Sequence, residues 1–187
     1  TGTLTCNELT LREILLPNGE RFLITGEGFA PHGDVLSNNS KIKPNDYEPL
    51  KWLARAGTLC NEADLHRHAD DWAWRGDAVD LALLSFASKL GQDIQASRVE
   101  FPQVTQIPFE PEHQYAASYN TLNNSTVVFV KGAFERVLAM CNHTIESDFE
   151  RDKQAAAAIR LAEQGYRVLA LADGTISEPL QPDEAPP

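Results

Sequence analysis

Hydrophobic and polar residues alternate in some parts of the chain and recur at helical spacing in others. Residues 21–26 read as a strand closed by Gly26, and the glycine-, proline- and asparagine-rich stretch that follows to Ser40 predicts a loop. Apolar side chains three and four residues apart then predict a helix over about 46–60 that Asn45-Asp46 opens. The residues on its apolar face are Leu50, Leu53, Ala54 and Gly57.

A polar stretch and a second helix come next. Residues 61–76 contain two tryptophans among charged side chains and predict a polar loop. Asp77 is placed to cap a largely apolar helix over about 78–90.

The second half of the chain begins with strand-like runs at 104–109, 115–119 and 126–131. Asn123-Asn124 predicts a hairpin turn between the last two. Antiparallel hairpins beside helices indicate an α+β fold, a mostly antiparallel twisted sheet flanked by helices.

Helical and strand patterns also alternate near the carboxyl end. Gly132-Ala133 leads into a short helix that ends near Cys141, and Ser147-Asp148 caps a helix over about 149–164 that Gly165 stops. Residues 167–172 predict a last strand, and the proline-rich residues 177–187 a linker or frayed end.

Composition narrows the function classes. The chain has 187 residues and a net charge of −11, which argues against nucleic-acid and anionic-lipid partners. Its three separated cysteines indicate a reduced chain with buried thiols such as Cys6 and Cys60, not a disulfide framework. No apolar stretch of membrane-spanning length is present, and the missing initial Met at Thr1 predicts an excised piece of a longer protein. From its charge we expect this piece to be monomeric when isolated.

General ligand-binding motifs give little information about function. No Walker A motif occurs, and Pro31-His32 stand where a dinucleotide fingerprint needs its third glycine. His66 and His68 lie among aspartates, but no cysteine pair at ligand spacing supports a metal site, and a solvated polar loop explains them better.

Seven segments in a fixed order carry the informative signal. They are Thr1-Gly2-Thr3-Leu4-Thr5, Ile24-Thr25-Gly26-Glu27-Gly28-Phe29-Ala30-Pro31-His32-Gly33-Asp34, Cys60-Asn61-Glu62-Ala63, Gly76-Asp77-Ala78-Val79-Asp80 followed by Leu81-Ala82-Leu83-Leu84, Ile107-Pro108-Phe109-Glu110, Lys131-Gly132-Ala133-Phe134-Glu135 and Gly165-Tyr166-Arg167-Val168-Leu169-Ala170. Their order over about residues 1–172 resembles the nucleotide-binding domain of type 2 P-type cation-transporting ATPases, with a bacterial pump the nearest type.

The resemblance implies a domain plan and an activity. Residues 1–12 would be the phosphorylation-domain edge and hinge, 13–175 the nucleotide-binding domain and 176–187 a tail. The domain would lie on the cytoplasmic face of a membrane, hold the adenine of Mg-ATP and present the γ-phosphate to an aspartate two residues before Thr1. Its partners in cis would be the phosphorylation, actuator and transmembrane domains. Without the aspartate we expect ATP binding without turnover, and no catalytic residue in this chain.

The resemblance also assigns binding residues. Phe109 matches an adenine-stacking phenylalanine, with a core phenylalanine on a strand as the alternative. Lys131 matches a lysine that lines the same pocket, with an edge-strand lysine as the alternative. Gly132 would let a base lie against the backbone.

Two further residues carry weaker assignments. Asp80 stands where the family has a glutamate that accepts from the adenine amino group; the alternative is an ordinary polar residue in a first helical turn. Arg167 matches an arginine near the ribose and phosphates, and the alternative is a surface arginine that begins a strand.

Departures from the family pattern cluster after Phe109. Pro111, Gln114 and Ala116 replace a serine, a basic residue and a methionine. Gln114 offers a hydrogen bond but no charge, so the cations left for the phosphates are Lys131, Arg167 and His113. We therefore expect weak ATP binding, with a dissociation constant on the order of high micromolar to millimolar. The alternative function is a non-catalytic regulatory or interaction domain that kept the fold and lost ATP.

Overall fold

Antiparallel sheets and helices make up the part of the chain that this computed structural model describes, namely residues 8–43, 47–69, 71–141 and 150–176. Within these ranges lie five helices and ten strands, and every strand pair is antiparallel. The predicted α+β class is confirmed. Contacts divide the chain into two units, Thr1–Val99 and Glu100–Pro187, and each unit is described by itself.

The first unit opens with a four-stranded sheet in sequential order. Its strands are β1 (Glu13–Leu15), β2 (Arg21–Ile24), β3 (Val35–Ser37) and β4 (Ser40–Lys41). In β2 the buried side chains of Phe22 and Ile24 alternate with exposed ones, as expected of a strand with one face on a core. The predicted strand is confirmed, but the predicted loop to Ser40 was wrong in part, because Val35 is buried and pairs with Ile24.

Helices cover the core of this sheet. Helix α1 (Glu48–Leu59) and helix α2 (Ala78–Lys89) both match predictions, although Asn45-Asp46 falls outside the described residues. Asp77 caps α2, its carboxylate accepting from the Val79 amide at 2.8 Å. A helix that was not predicted, α3 (Ile94–Glu100), follows. The core of the four-stranded sheet contains Leu50 and Ala54 of α1, Phe86 and Ala87 of α2, and Leu90 just after α2.

The predicted polar loop at 61–76 was wrong. Strands β5 (Asp64–His68) and β6 (Asp71–Arg75) form a two-stranded hairpin there. Leu65 is buried against α2 residues, whereas most other side chains of β5 and β6 are solvent-exposed, so polar residues dominate the segment. The alternation that signals a strand is weak when only one or two residues reach a core.

The second unit contains a four-stranded sheet in the order β10-β9-β8-β7. Its strands are β7 (Gln103–Ile107), β8 (Tyr115–Leu122), β9 (Ser125–Ala133) and β10 (Leu169–Ile176). The predicted hairpin between β8 and β9 is confirmed, with Asn123 at a φ of 55° in its turn.

Two helices complete this unit. Helix α4 (Phe134–Met140) follows β9 directly and packs against β9 and β10. Helix α5 (Arg151–Glu163) is followed by Gly165 at a φ of 87°, the left-handed conformation that commonly ends a helix. Both helices match predictions, whereas the predicted cap at Ser147-Asp148 lies outside the described residues.

The predicted domain limits stay predictions. Residues 1–7, with Cys6 and the first motif, and residues 177–187 of the predicted tail lie outside the described part of the chain. Within the part that is described, no helix is long and apolar enough to cross a membrane.

Candidate functional site

The register of the second-unit sheet brings distant segments to one end. Ile107 pairs with Ala117, and Tyr115 pairs with Gly132, which pairs on its other side with Ala170. The carboxyl ends of β7 and β9 therefore lie beside the amino ends of β8 and β10. Five sequence-predicted site residues lie on or next to this end of the sheet: Phe109, Gln114, Lys131, Gly132 and Arg167.

Phe109 lies beyond a strand. Strand β7 ends at Ile107, so the predicted placement of Phe109 on a strand was wrong. Its side chain is 54% exposed, which also contradicts the alternative of a core phenylalanine. Pro108 restricts the backbone just before it. An aromatic face is thus open to a ligand.

A tight turn follows this ring. The Glu110 carbonyl accepts from the amides of His113 at 3.1 Å and Gln114 at 2.8 Å. Gln114 has a φ of 62°, and its carbonyl accepts from the Ala133 amide at 2.8 Å. The backbone of Gln114 therefore joins this turn to the end of β9.

Gly132 is explained by close strand packing. A Cβ at this position would lie 2.5 Å from the Gln114 carbonyl oxygen and 2.7 Å from the Cα of Tyr115. Both are backbone atoms of the neighbouring segment, so a side chain would force the strands apart. The predicted role of Gly132 beside a base stays a prediction.

Lys131 lies in the interior of the sheet. It pairs with Ala116 on β8 and Leu171 on β10, and it is only 7% exposed. The alternative of a lysine that protects an edge strand was therefore wrong. The predicted role of Lys131 in a nucleotide pocket stays a prediction.

Arg167 is exposed and lies between α5 and β10, two residues before the strand begins at Leu169. The alternative, a surface arginine that begins a strand, agrees with this exposure, although the strand itself begins two residues later. Leu169 pairs with Ala133, the residue after Gly132. Arg167 thus lies in the chain next to the same end of the sheet.

Asp80 belongs to the first unit and supports its backbone. It stands in the first turn of α2, as the alternative had it, but it is buried, and its Oδ2 accepts from the Glu62 amide at 3.0 Å. Asn61 donates to the carbonyls of Asp80 at 3.0 Å and Gly57 at 2.8 Å, and its Oδ1 accepts from the Ala63 amide. We name this set of contacts the Asn61–Asp80 clasp. The motifs that contain Asn61 and Asp80 looked separate in the sequence because 12 residues lie between Ala63 and Gly76, and their physical link was missed.

The glycine-rich segment after β2 is also a structural loop. Lys89 donates to the Thr25 carbonyl at 2.9 Å, and Arg12 donates to the Gly26 carbonyl at 3.0 Å. Burial, followed by the nearby Arg12 charge, lowers the pKa of Lys89. A Cβ on Gly26 would lie 1.9 Å from the His32 carbonyl oxygen. Close backbone packing explains this glycine without a dinucleotide.

The structure also places the histidines and cysteines considered in the sequence. His66 contacts the Asp64 carboxylate at 2.7 Å, and among the described residues no group of three or more His, Cys, Asp or Glu is arranged to hold a metal. Cys60 is buried, as predicted. Cys141 is partly buried, and burial raises the pKa of its thiol.

Comparison with known families agrees with this architecture. Residues 49–185 match the family described as "P-type ATPase, cytoplasmic domain N", which is most of the chain. The chain therefore belongs to the cytoplasmic N domains of P-type ATPases.

Individual relatives are named as cation- or calcium-transporting ATPases. The chain is 36% identical over 182 residues to "Probable cation-transporting ATPase F" of Mycobacterium tuberculosis (strain ATCC 25618 / H37Rv), covering 93% of this chain and 20% of that protein. It is 32% identical over 186 residues to "Cation-transporting ATPase pma1" of Synechocystis sp., covering 94% of this chain and 20% of that protein. It is 28% identical to "Calcium-transporting ATPase type 2C member 1" of Bos taurus, covering 93% of this chain and 19% of that protein. The chain spans about a fifth of the length of these relatives.

Proposed function

We propose that this chain is the ATP-binding module of a P-type cation-transporting ATPase at the cytoplasmic face of a membrane. It holds adenine and presents the γ-phosphate of Mg-ATP to an aspartate outside this chain. The observation that supports this most is the sheet end of the second unit: Lys131 lies on its interior strand β9, and the exposed Phe109 and Arg167 lie just outside strands β7 and β10 at the same end.

The side chains there suit a nucleotide. Stacking of a base on an aromatic ring such as Phe109 contributes about 1–3 kcal/mol per base. The Lys131 ammonium and the Arg167 guanidinium are donors for purine nitrogens and phosphate oxygens. Magnesium in such sites is bound largely through the phosphates themselves, so it arrives with the ATP.

Turnover needs groups outside this chain. Acyl-phosphate formation requires a carboxylate nucleophile, which we place on a phosphorylation domain in cis. The isolated chain is then a monomer that binds ATP without hydrolysing it. In the whole pump, actuator and transmembrane domains would couple the phosphorylation to cation movement.

Calorimetric titration of the isolated chain with Mg-ATP tests the proposal. We expect a dissociation constant on the order of high micromolar to millimolar. Phe109→Ala and Lys131→Ala should each remove most of the signal, and Lys131→Met, which keeps the buried stem, should lose it as well.

Matched controls lie on α5 of the same unit. Ile159 is 58% exposed, and Lys153 is an exposed lysine. Ile159→Ala and Lys153→Ala should titrate like the wild type. Equal binding by Phe109→Ala and the wild type would refute the proposal.

A drifted regulatory domain is the second candidate. The observation that favours it is Asp80, because its Oδ2 already accepts from the Glu62 amide. This candidate predicts a wild-type chain with no measurable heat of ATP binding, in a protein that unfolds cooperatively.

A further inference from the structure

His113 lies in the turn that follows Phe109, at the same sheet end. Its Nδ1 is 3.2 Å from Oε2 of Glu110, and its ring centroid is 6.2 Å from that of Tyr115, at an interplanar angle of 36°. The Glu110 carbonyl also accepts from its amide. The imidazole is thus oriented by a carboxylate and a neighbouring ring, while 56% of its side chain stays exposed.

The orientation of the ring determines whether Nε2 is a hydrogen-bond acceptor or a donor toward a ligand. When Nδ1 carries the proton shared with Glu110, neutral imidazole presents a lone pair at Nε2, which repels phosphate oxygens. Protonation makes Nε2 a donor and cancels the negative charge of the Glu110 carboxylate. Imidazole is the side chain that makes this change between about pH 5 and 8.

We propose that His113 is a protonation-dependent contact for the nucleotide phosphates, a role that rests on the proposed ATP site. The groups that the described contacts place against the ring are the Glu110 carboxylate and the Tyr115 phenol, and Glu112 is its neighbour in sequence. Binding of a polyphosphate therefore draws a proton from solvent onto His113.

The experiment measures ATP and adenosine affinity by calorimetry at pH 5.5 and pH 8 with excess Mg²⁺. Wild-type affinity for ATP should fall about two- to fivefold at the higher pH, the range of an exposed charge contact. His113→Gln should show no such fall beyond the titration of ATP itself. Adenosine, which has no phosphate, should bind equally at both pH values in both proteins.

The chain supplies a matched control. His66 is also about half exposed and has its Nδ1 2.7 Å from an aspartate carboxylate, but it lies on β5 of the first unit. His66→Gln should keep the wild-type pH dependence. Titrations in buffers of different ionisation enthalpy should show net proton uptake at pH 6.5 that is larger in the wild type and in His66→Gln than in His113→Gln.

The outcomes separate this inference from the proposed function. An equal pH dependence in His113→Gln and the wild type overturns the inference alone. A loss of adenosine affinity equal to the loss of ATP affinity in His113→Gln also overturns it, because the ring then positions the turn. A wild type that binds neither ligand, or ATP binding that Phe109→Ala leaves intact, overturns the proposed site and the inference with it.

Discussion

A single methyl group on Gly132 should separate two strands of the second-unit sheet. In Gly132→Ala the new Cβ would lie 2.5 Å from the Gln114 carbonyl oxygen and 2.7 Å from both the Cα and the Cβ of Tyr115. Ordinary contacts at such atoms are about 3.4–4 Å, and backbone cannot rotate away as a flexible side chain would. We therefore expect the start of β8 to shift away from β9.

The loss of folding stability in Gly132→Ala has two parts. Overpacking a tight position costs about 1–3 kcal/mol, and the shift weakens the 2.8 Å hydrogen bond from the Ala133 amide to the Gln114 carbonyl, worth about 0.5–1.5 kcal/mol. The free energy of unfolding should fall by about 2–4 kcal/mol. Urea unfolding followed by far-ultraviolet circular dichroism measures it as a lower midpoint at unchanged slope.

Gly174 is the matched control. It lies on β10 of the same sheet, pairs with Val128, and has no atom within 4 Å of a built Cβ. Gly174→Ala should be neutral or stabilise by about 0.4–1 kcal/mol, because alanine has fewer unfolded conformations. Equal unfolding midpoints for the two variants would refute the close-packing explanation of Gly132.

Three further predictions concern other contacts. Asp77→Ala should lower the stability of the first unit by about 1 kcal/mol, because α2 loses its cap, and Asp77→Ser should restore the stability. Tryptophan fluorescence measures this unfolding, since all the tryptophans lie in that unit. Asn61→Ala should cost about 2–3 kcal/mol in the same assay, because it leaves partners of the Asn61–Asp80 clasp without hydrogen bonds, whereas a loss below about 0.5 kcal/mol would contradict the clasp. Burial, followed by the Tyr115 charge, raises the pKa of the Tyr119 phenol in the folded protein. The contribution of Tyr119 to stability is therefore complete below the pKa of the unfolded chain, near 10, and is lost as pH rises from there through the folded pKa. Tyr119→Phe should therefore show a smaller loss of stability above pH 10 than the wild type in urea unfolding, and parallel curves would count against this assignment.

Elements with strong local signals were predictable. Asp77 before a run of apolar residues predicted α2 nearly to its ends, and Asn123-Asn124 predicted the hairpin of β8 and β9. Both signals act within a few residues, through a capping hydrogen bond or a turn conformation. The β5–β6 hairpin was missed because a two-stranded ribbon with exposed faces needs little hydrophobic alternation.

The sequence named the residues of the candidate site, but it did not predict their structural surroundings. Phe109 and Lys131 were named from motifs, yet only the fold shows Phe109 exposed past the end of β7 and Lys131 buried between two partner strands. The role of Asp80 in the backbone of the first unit was likewise invisible, since its partner Glu62 lies in another motif.

The sequence by itself determined the family and the α+β class, and it supplied the residues on which the proposed nucleotide site rests, because these depend on residue identity and short-range spacing. The tertiary structure alone decided that β9 is an interior strand, that Gly132 faces a neighbouring backbone and that the turn at 110–114 lies beside it. Strand order and register join residues far apart in the chain, and short-range pattern carries no information about which distant strand will be the partner.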